Sequence, residues 1–350
     1  MTRSRIRMLS VGISLLMLLS LLTACGATST TGTGGGSTTK KIRVGLVTDV
    51  GGLNDRGFNH LAYLGLQKAQ TDLGVHGDVT ESHAASDYVP NLTNYASKKY
   101  DLVIAVGFLM ASAVGQVSEQ YPNVKFAIID ATPADAQGNS VDRSNVVSLL
   151  FKEQEAGALV GVLTGMLEKQ GKTPKQAHKV GAVGGQKIPP VDHYIAGFQW
   201  AMKMEDPSST VFVDYSDDFT DPTKCSDKTN SQISRGADVV FQVAGGCGLG
   251  VLTTAQDKGI WSIGVDTDQA AVSQSVIASA VKRVDTAAYD AIKSVNDGSF
   301  KAGVSTFSLS NDGVGFVKGN IPIPADIQAE IDKVTGEIKS GSVTVPDTVS

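Results

Sequence analysis

The 350-residue chain is 41% hydrophobic and carries a formal net charge of −5. That apolar content excludes a disordered chain, and the length allows two domains of ordinary size. The acidic balance excludes a nucleic-acid binder, which needs a basic surface to meet phosphate.

Arg3, Arg5 and Arg7 precede an apolar run from Met8 to Leu22, which closes on Leu22-Thr23-Ala24-Cys25. A charged start, an apolar middle and small residues at the end predict a secretory signal peptide over 1–24. A transmembrane anchor is the alternative, but about 15 residues broken by serines fall short of the ~20 that span a bilayer. The closing tetrapeptide resembles the lipobox of bacterial lipoproteins, whose cysteine becomes the lipidated N-terminus, so Cys25 is the expected lipidation site. From Cys25 onward 27 basic residues face 35 acidic ones, a net charge of −8. Residues 26–39 are all Gly, Ser, Thr or Ala, so 25–40 reads as a lipidated cysteine followed by a flexible tether. These features place the folded part at the outer face of a bacterial cytoplasmic membrane, held there through the lipid.

The folded part opens at 41–74. Residues 42–48 form an apolar run suited to a strand buried on both faces. Asp49 falls where that strand should end, and Gly51-Gly52 makes the turn. Asp55 is placed to cap a helix whose apolar positions include Phe58, Leu61, Leu66, Ala69 and Leu73, with Gly74 as its C-cap. Asp49, Phe58 and Asn59 should therefore gather at the carboxyl edge of a sheet, where open α/β sheets bind ligands.

Further strands are expected at 100–106, at 125–130 (again ending in an aspartate, Asp130) and at 145–151, with helices near 110–120 and over 153–169. Gly157, Gly161 and Gly165 lie four apart on the last helix. A membrane dimer would use such spacing, but acidic residues precede a short apolar stretch, and close packing of the helix on a sheet is the better reading. The pattern then restarts with strands at 179–184, 210–215, 238–244 and 261–266, separated by helices that include 194–203 and 248–258. A long amphipathic helix over 272–296, with Lys282 near its middle, and a turn-rich tail with short strands at 313–317 and 321–324 complete the reading. Two successive sets of alternating strand and helix imply an α/β protein with two parallel-sheet, Rossmann-like lobes.

No nucleophile elbow, Walker A loop or H-E-x-x-H motif occurs, and the five histidines lack metal-ligand spacing. No cofactor is expected. Asp266-Thr267-Asp268 faintly resembles calcium-dependent nucleoside hydrolases, but no further carboxylates follow at once. Residues 245–250, Gly-Gly-Cys-Gly-Leu-Gly, follow a strand and open a helix, yet their spacing is G-x-G-x-G rather than the dinucleotide-binding G-x-G-x-x-G. What survives is a glycine turn at Gly245 that admits a ligand close to backbone, and Asp266, able to accept from hydroxyls. Cys225 and Cys247 fall on loops at the same edge of the second lobe; a disulfide and two small buried residues are both open readings.

In order and spacing, VTDVGGLNDRGFN (47–59), KFAIID (125–130), FKEQEAGALVG (151–161), VGGQKIPPVDHYIAGF (183–198), DFTDPTK (218–224), AGGCGLGV (244–251), IGVDTDQ (263–269) and SAVKRVD (279–285) resemble the basic membrane protein (PnrA-like) family of substrate-binding lipoproteins. The resemblance runs from Lys41 to about Ser350. It implies a type I periplasmic-binding-protein fold with a three-stranded hinge and an interlobe cleft, here with 41–150 plus 269–303 as lobe 1 and 151–268 plus 304–345 as lobe 2. It also implies a nucleoside ligand, purine favoured, and an ABC permease as partner. Carried over by position, Phe58 and Phe219 would sandwich the base, with Tyr194 an alternative second aromatic. Asn59 and Asp130 would read the base edge, and Asp49, Asp266 and Lys282 would hold the ribose beside Gly245. A sugar receptor of the same fold and a ligand sensor are the alternatives. A nucleoside-processing enzyme is a weaker one, since it would need a metal or a nucleophile–base pair.

Overall fold

The structure is a computed structural model that describes residues 41–350. The signal segment, Cys25 and the tether lie outside the described residues.

The first set of elements runs β1 (Arg43–Thr48), α1 (Phe58–Leu73), β2 (His76–Thr80), α2 (Tyr88–Ser97), β3 (Leu102–Val106), α3 (Ala111–Gln120), β4 (Lys125–Ile129) and β5 (Val146–Phe151). The second runs α4 (Glu153–Lys169), β6 (Lys179–Gly184), α5 (Pro189–Glu205), β7 (Thr210–Tyr215), α6 (Pro222–Ser234), β8 (Val239–Val243), α7 (Leu249–Asp257), β9 (Trp261–Asp266) and β10 (Val276–Lys282). The chain returns through α8 (Val284–Asn296) and β11 (Gly303–Phe307), then crosses again to β12 (Val314–Lys318) and α9 (Ala325–Ser340). Two six-stranded sheets result, ordered β11-β5-β4-β3-β1-β2 and β12-β10-β9-β8-β6-β7. The inner strands, such as β3 and β8, are buried along their whole length and apolar but for Gln242 in β8, as parallel strands covered by helices on both faces must be.

Three crossings join the lobes, at 151–153, 282–284 and 307–314. They lie side by side: Lys152 N–H donates to Phe307 O (2.9 Å) and Arg283 N–H to Gly313 O (2.9 Å). The rings of Phe151 and Phe307 stack with centroids 4.8 Å apart. Adjacent crossings of this kind allow the lobes to open and close about one hinge.

Several expectations need correction. No helix covers 272–296; β10 occupies its first part and places Lys282 at a strand end on a crossing. Its Val-Ile-Ala-Ser-Ala-Val run lies between β9 and β12 and is buried on both faces, so alternation was invisible and the run read as helix. Consequently β10 belongs to the sheet of lobe 2, while β11, expected in lobe 2, pairs with β5 in lobe 1. The helix part of the expectation holds only for α8, which packs on α1: a Cβ on Gly65 would lie 2.4 Å from Asp285 O. The elements β2, α2, β11 and α9 were not expected, and 321–324 is no strand. Finally, the glycine stripe of α4 meets helix α5 more closely than any sheet. A Cβ on Gly157 would sit 2.1 Å from Tyr194 O, and one on Gly161 2.7 Å from Phe198 O.

Candidate ligand-binding cleft

The lobe 1 wall is assembled where β1 ends. The Asp49 N–H donates to Val106 O (3.2 Å), which ties it to the end of β3. Its Oδ1 accepts from the Gly51 N–H (2.9 Å) and from Asn59 Nδ2 (2.9 Å). At Gly107 the backbone has φ 121°, and a Cβ there would lie 2.5 Å from Asp49 Oδ2, so glycine is required for β3 to end beside the carboxylate. The Asp55 carboxylate accepts from the N–H groups of Gly57 (3.0 Å), Asn59 (2.7 Å) and His60 (3.2 Å). It caps α1 from two residues before the N-cap Gly57, and thereby presents Phe58 and Asn59 at the helix start.

Lys282 stands at the centre, 2% exposed. Its Nζ donates to Asp130 Oδ2 (2.6 Å) and Glu153 Oε1 (2.8 Å). The ammonium also lies 5.1 Å from the Phe58 ring centroid and 4.8 Å from that of Phe151. Glu153 Oε2 meets His193 Nδ1 at 3.0 Å. Burial works against the charged lysine, but the carboxylates of Asp130, Glu153 and Asp266 outweigh it and hold the pKa above the usual lysine value. Asp130 has the opposite balance: burial pushes its pKa up to about 7 despite Lys282. Burial opposes the charge on Glu153 as well, yet Lys282 and His193 keep its pKa below the usual glutamate value.

Lobe 2 supplies a more apolar wall. The close α4–α5 approach brings Tyr194 inward, and its hydroxyl donates to Asp266 Oδ1 (3.3 Å). Asp266 ends β9 as Asp130 follows β4, and both hold left-handed backbone, φ 66° and 69°, a region aspartate tolerates better than most residues. Burial raises the pKa of Asp266 to about 6, and that of Asp49 to about 6 as well. Phe219 O accepts from the Cys247 N–H (3.0 Å), so the Phe219 loop rests on the turn that carries Gly245. Gly245 has φ 54°, and a Cβ there would stand 3.4 Å from Phe219 O. Cys225 and Cys247 are joined as a disulfide with Cα atoms 5.6 Å apart. Cys225 lies in the first turn of α6 rather than on a loop.

These walls line a cleft between the two lobes, the kind of concave, interlobe place where small-molecule sites form. Asp49, Phe58, Asn59, Asp130, Phe219, Gly245, Asp266 and Lys282 all line it. The lobes already meet: Gln269 Nε2 donates to Arg56 O (3.4 Å), and a Cβ on Gly57 would lie 3.2 Å from Asp266 Oδ2. The expected split into base and ribose readers cuts across bonded pairs, because Asn59 holds Asp49 and Lys282 holds Asp130. Sequence reasoning missed Glu153 and His193. The signal for Glu153 is an acidic residue placed directly after a buried strand and at the head of an apolar helix. Asp55 was expected only as a cap and also lines the cavity. Among the described residues no group of three or more His, Cys, Asp or Glu could hold a metal ion, and no helix is long and apolar enough to cross a membrane.

Two α/β lobes, three hinge crossings and a cavity between them with one polar and one largely apolar wall define a solute-binding protein of the type I periplasmic-binding-protein class. Residues 42–349 match the Bmp family, described as ABC transporter substrate-binding protein PnrA-like; the chain belongs to that family. It is 34% identical to a CD4+ T-cell-stimulating antigen of Listeria monocytogenes over 88% of this chain and 89% of the relative. It is 29% identical to the ABC transporter nucleoside-binding protein BmpA of Lactococcus lactis, over 97% of this chain and 99% of the relative. Among solved structures, an ABC transporter solute-binding protein from Aeropyrum pernix superposes with a TM-score of 0.79 at 28% identity, covering 87% of this chain and 94% of that one.

Proposed function

We propose that this protein captures a nucleoside, purine favoured, at the outer face of the cytoplasmic membrane and delivers it to an ABC permease without transforming it. The observation that carries the reading is that Phe58 from lobe 1 and Phe219 from lobe 2 line the same cavity as the carboxylates of Asp49, Asp130 and Asp266. Two aromatic rings offer stacking to a flat base, a contact worth roughly 1–3 kcal/mol per base. Asp49 and Asp266 offer acceptors to sugar hydroxyls, and Lys282 offers one remaining N–H. A nucleotide fits poorly, because phosphate would meet more negative than positive charge. A ligand touching both lobes favours closure by as much as it binds the closed state better than the open one. The nucleoside-binding relative from Lactococcus lactis supports the ligand class. Relatives from Pyrococcus species named as lipoproteins support anchoring through Cys25.

Thermal unfolding against a panel of nucleosides, bases, nucleotides and sugars tests the reading, after unfolding and refolding to strip bound ligand. Ligand at about 100 times its Kd adds ~2.7 kcal/mol, a shift of several degrees for a protein of this size. The shift should appear with nucleosides, fail with their monophosphates and vanish in Phe58→Ala and Asp266→Ala. A stripped protein that responds to no nucleoside overturns it.

A further inference from the structure

Phe219 and the turn that bears on it follow strands that are not neighbours. In the sheet of lobe 2, β6 lies between β7 and β8. The loop after β7 stays paired as far as Asp217, whose N–H donates to Gly185 O (2.8 Å). Beyond that it leaves the ladder and lays the Phe219 ring over Gly185, where a Cβ would lie 2.2 Å from Phe219 Cε1. It meets the turn after β8 through the Cys247 N–H, which donates to Phe219 O (3.0 Å). The disulfide makes the same junction covalent, joining Cys247 to Cys225 in the first turn of α6, with both cysteines fully buried. The residues between are tightly folded. Asp218 Oδ1 accepts from the N–H groups of Thr220 (2.7 Å) and Asp221 (2.9 Å), and Asp221 Oδ1 accepts from that of Thr223 (2.9 Å). A segment bonded in this way moves as one piece, so whatever fixes Cys225 fixes Phe219. Cys247 thus holds the Phe219 backbone by its N–H and the far end of the loop by its sulfur.

We propose that the Cys225–Cys247 disulfide positions the Phe219 ring for the ligand, so that affinity for a flat base depends on the pair being oxidised. Phe219 lines the cleft, and a stacking contact weakens steeply with misplacement: a gap of about 0.5–1 Å forfeits roughly a quarter to a half of a dispersion contact. Reduction by a dithiol breaks the S–S bond with two electrons and two protons, gives two cysteine thiols and leaves the reductant as its own disulfide. The loop is then held to the turn by the Phe219–Cys247 hydrogen bond and by the packing of Gly250 on Pro222, and the ring is free to shift on Gly185. This inference rests on the nucleoside reading and adds to it a residue pair on which the base contact depends.

Titration calorimetry of the stripped protein with adenosine and guanosine decides it, at a temperature where circular dichroism shows every form folded. Cys225→Ser with Cys247→Ser should bind the nucleoside about 10-fold more weakly, within the range for losing one base–ring contact. Phe219→Ala in the oxidised protein should lose at least as much. The triple variant should lose no more than Phe219→Ala alone, because without the ring the disulfide has nothing to position. Unchanged affinity in the folded double variant, or losses that simply add, overturns the positioning role and leaves the nucleoside reading standing. Should the double variant not fold, the unmodified protein answers the same question in dithiothreitol buffers of graded ratio. Linkage requires bound nucleoside to favour the disulfide by the same factor as the disulfide favours nucleoside, so about 10-fold more reductant should be needed with nucleoside than without. Equal reduction in both overturns the proposal. Binding of neither nucleoside to the oxidised protein removes the nucleoside reading, and the positioning role with it.

Discussion

The two lobes share one strand order and differ in what they place at its edges. β1 and β6 hold the same position in their sheets, as do β4 and β9. After β4 and at the end of β9 the lobes agree, with Asp130 and Asp266 in the same left-handed conformation. After β1 and β6 they diverge. Lobe 1 has Asp49, while lobe 2 has Gly185, where a Cβ would lie 2.2 Å from Phe219 Cε1. One lobe therefore presents a carboxylate at the address where the other lays a phenyl ring over glycine. The shared topology fixes the addresses, and single residues at them make one wall polar and the other largely apolar. A ligand with a polar edge and flat apolar faces matches that asymmetry.

Lys282, on a crossing between the lobes, joins the two walls, and its loss should produce the largest effect. Lys282→Met leaves the buried carboxylate of Asp130 without its cation and Glu153 with His193 alone. Breaking a buried pair from one side costs about 3–5 kcal/mol, so unliganded Tm at neutral pH should fall by about 5–8 °C. A variant melting with the unmodified protein would show that Lys282 is not what holds the polar wall to the hinge. On the lobe 2 side, the disulfide closes a loop with sequence separation 22. Cys225→Ser with Cys247→Ser should cost about 3 kcal/mol by the chain-entropy model, read as a drop in denaturant midpoint at constant slope. A reductant should bring the unmodified protein to the same midpoint. No change with either treatment would mean that the Gly245 turn is held by packing alone.

Much of this division was legible in the sequence because it rests on local signals. Strand-end aspartates such as Asp49, Asp130 and Asp266 follow runs of Val, Ile and Leu, and the helix after Asp55 has clear caps and an apolar stripe. The failures came where tertiary pairing overrode local pattern. β10 is an Ala- and Ser-rich run whose strand character comes from lying between β9 and β12. β2 and β11 sit at sheet edges, with weak apolar content and, Phe307 apart, exposed or half-buried side chains. The polar α9 gave little signal, although Ile327, Ile331, Val334 and Ile338 form a buried stripe at helical spacing. Glu153 and His193 were invisible for a different reason: Glu153 meets Lys282 across 129 positions and His193 across 40. Of the cleft, the residues could be read, but not who bonds whom.

The smallest effect is the one that bears most directly on how the polar wall works. Asp49 and Asp266 have pKa values raised to about 6 and Asp130 to about 7, each chiefly by burial, against an ordinary 3.8. The folded protein therefore binds these protons more tightly than the unfolded chain. Their contribution to stability is fully present below about pH 4 and is lost as pH rises through 6 to 7. A ligand that donates hydroxyl and N–H groups prefers the ionised carboxylates and lowers these pKa values, each unit being worth about 1.4 kcal/mol. Ligand-induced stabilisation should thus be weak near pH 5 and grow until it levels off near pH 8, while the unliganded protein loses this part of its stability over the same range. Melting curves with and without nucleoside across that span measure both trends together. In Asp49→Asn the growth should shrink, because one titrating acceptor is gone from the lobe 1 wall. A ligand shift independent of pH would mean that the carboxylates shape the cleft without accepting from the ligand, and the contrast between the walls would then be one of form rather than of chemistry.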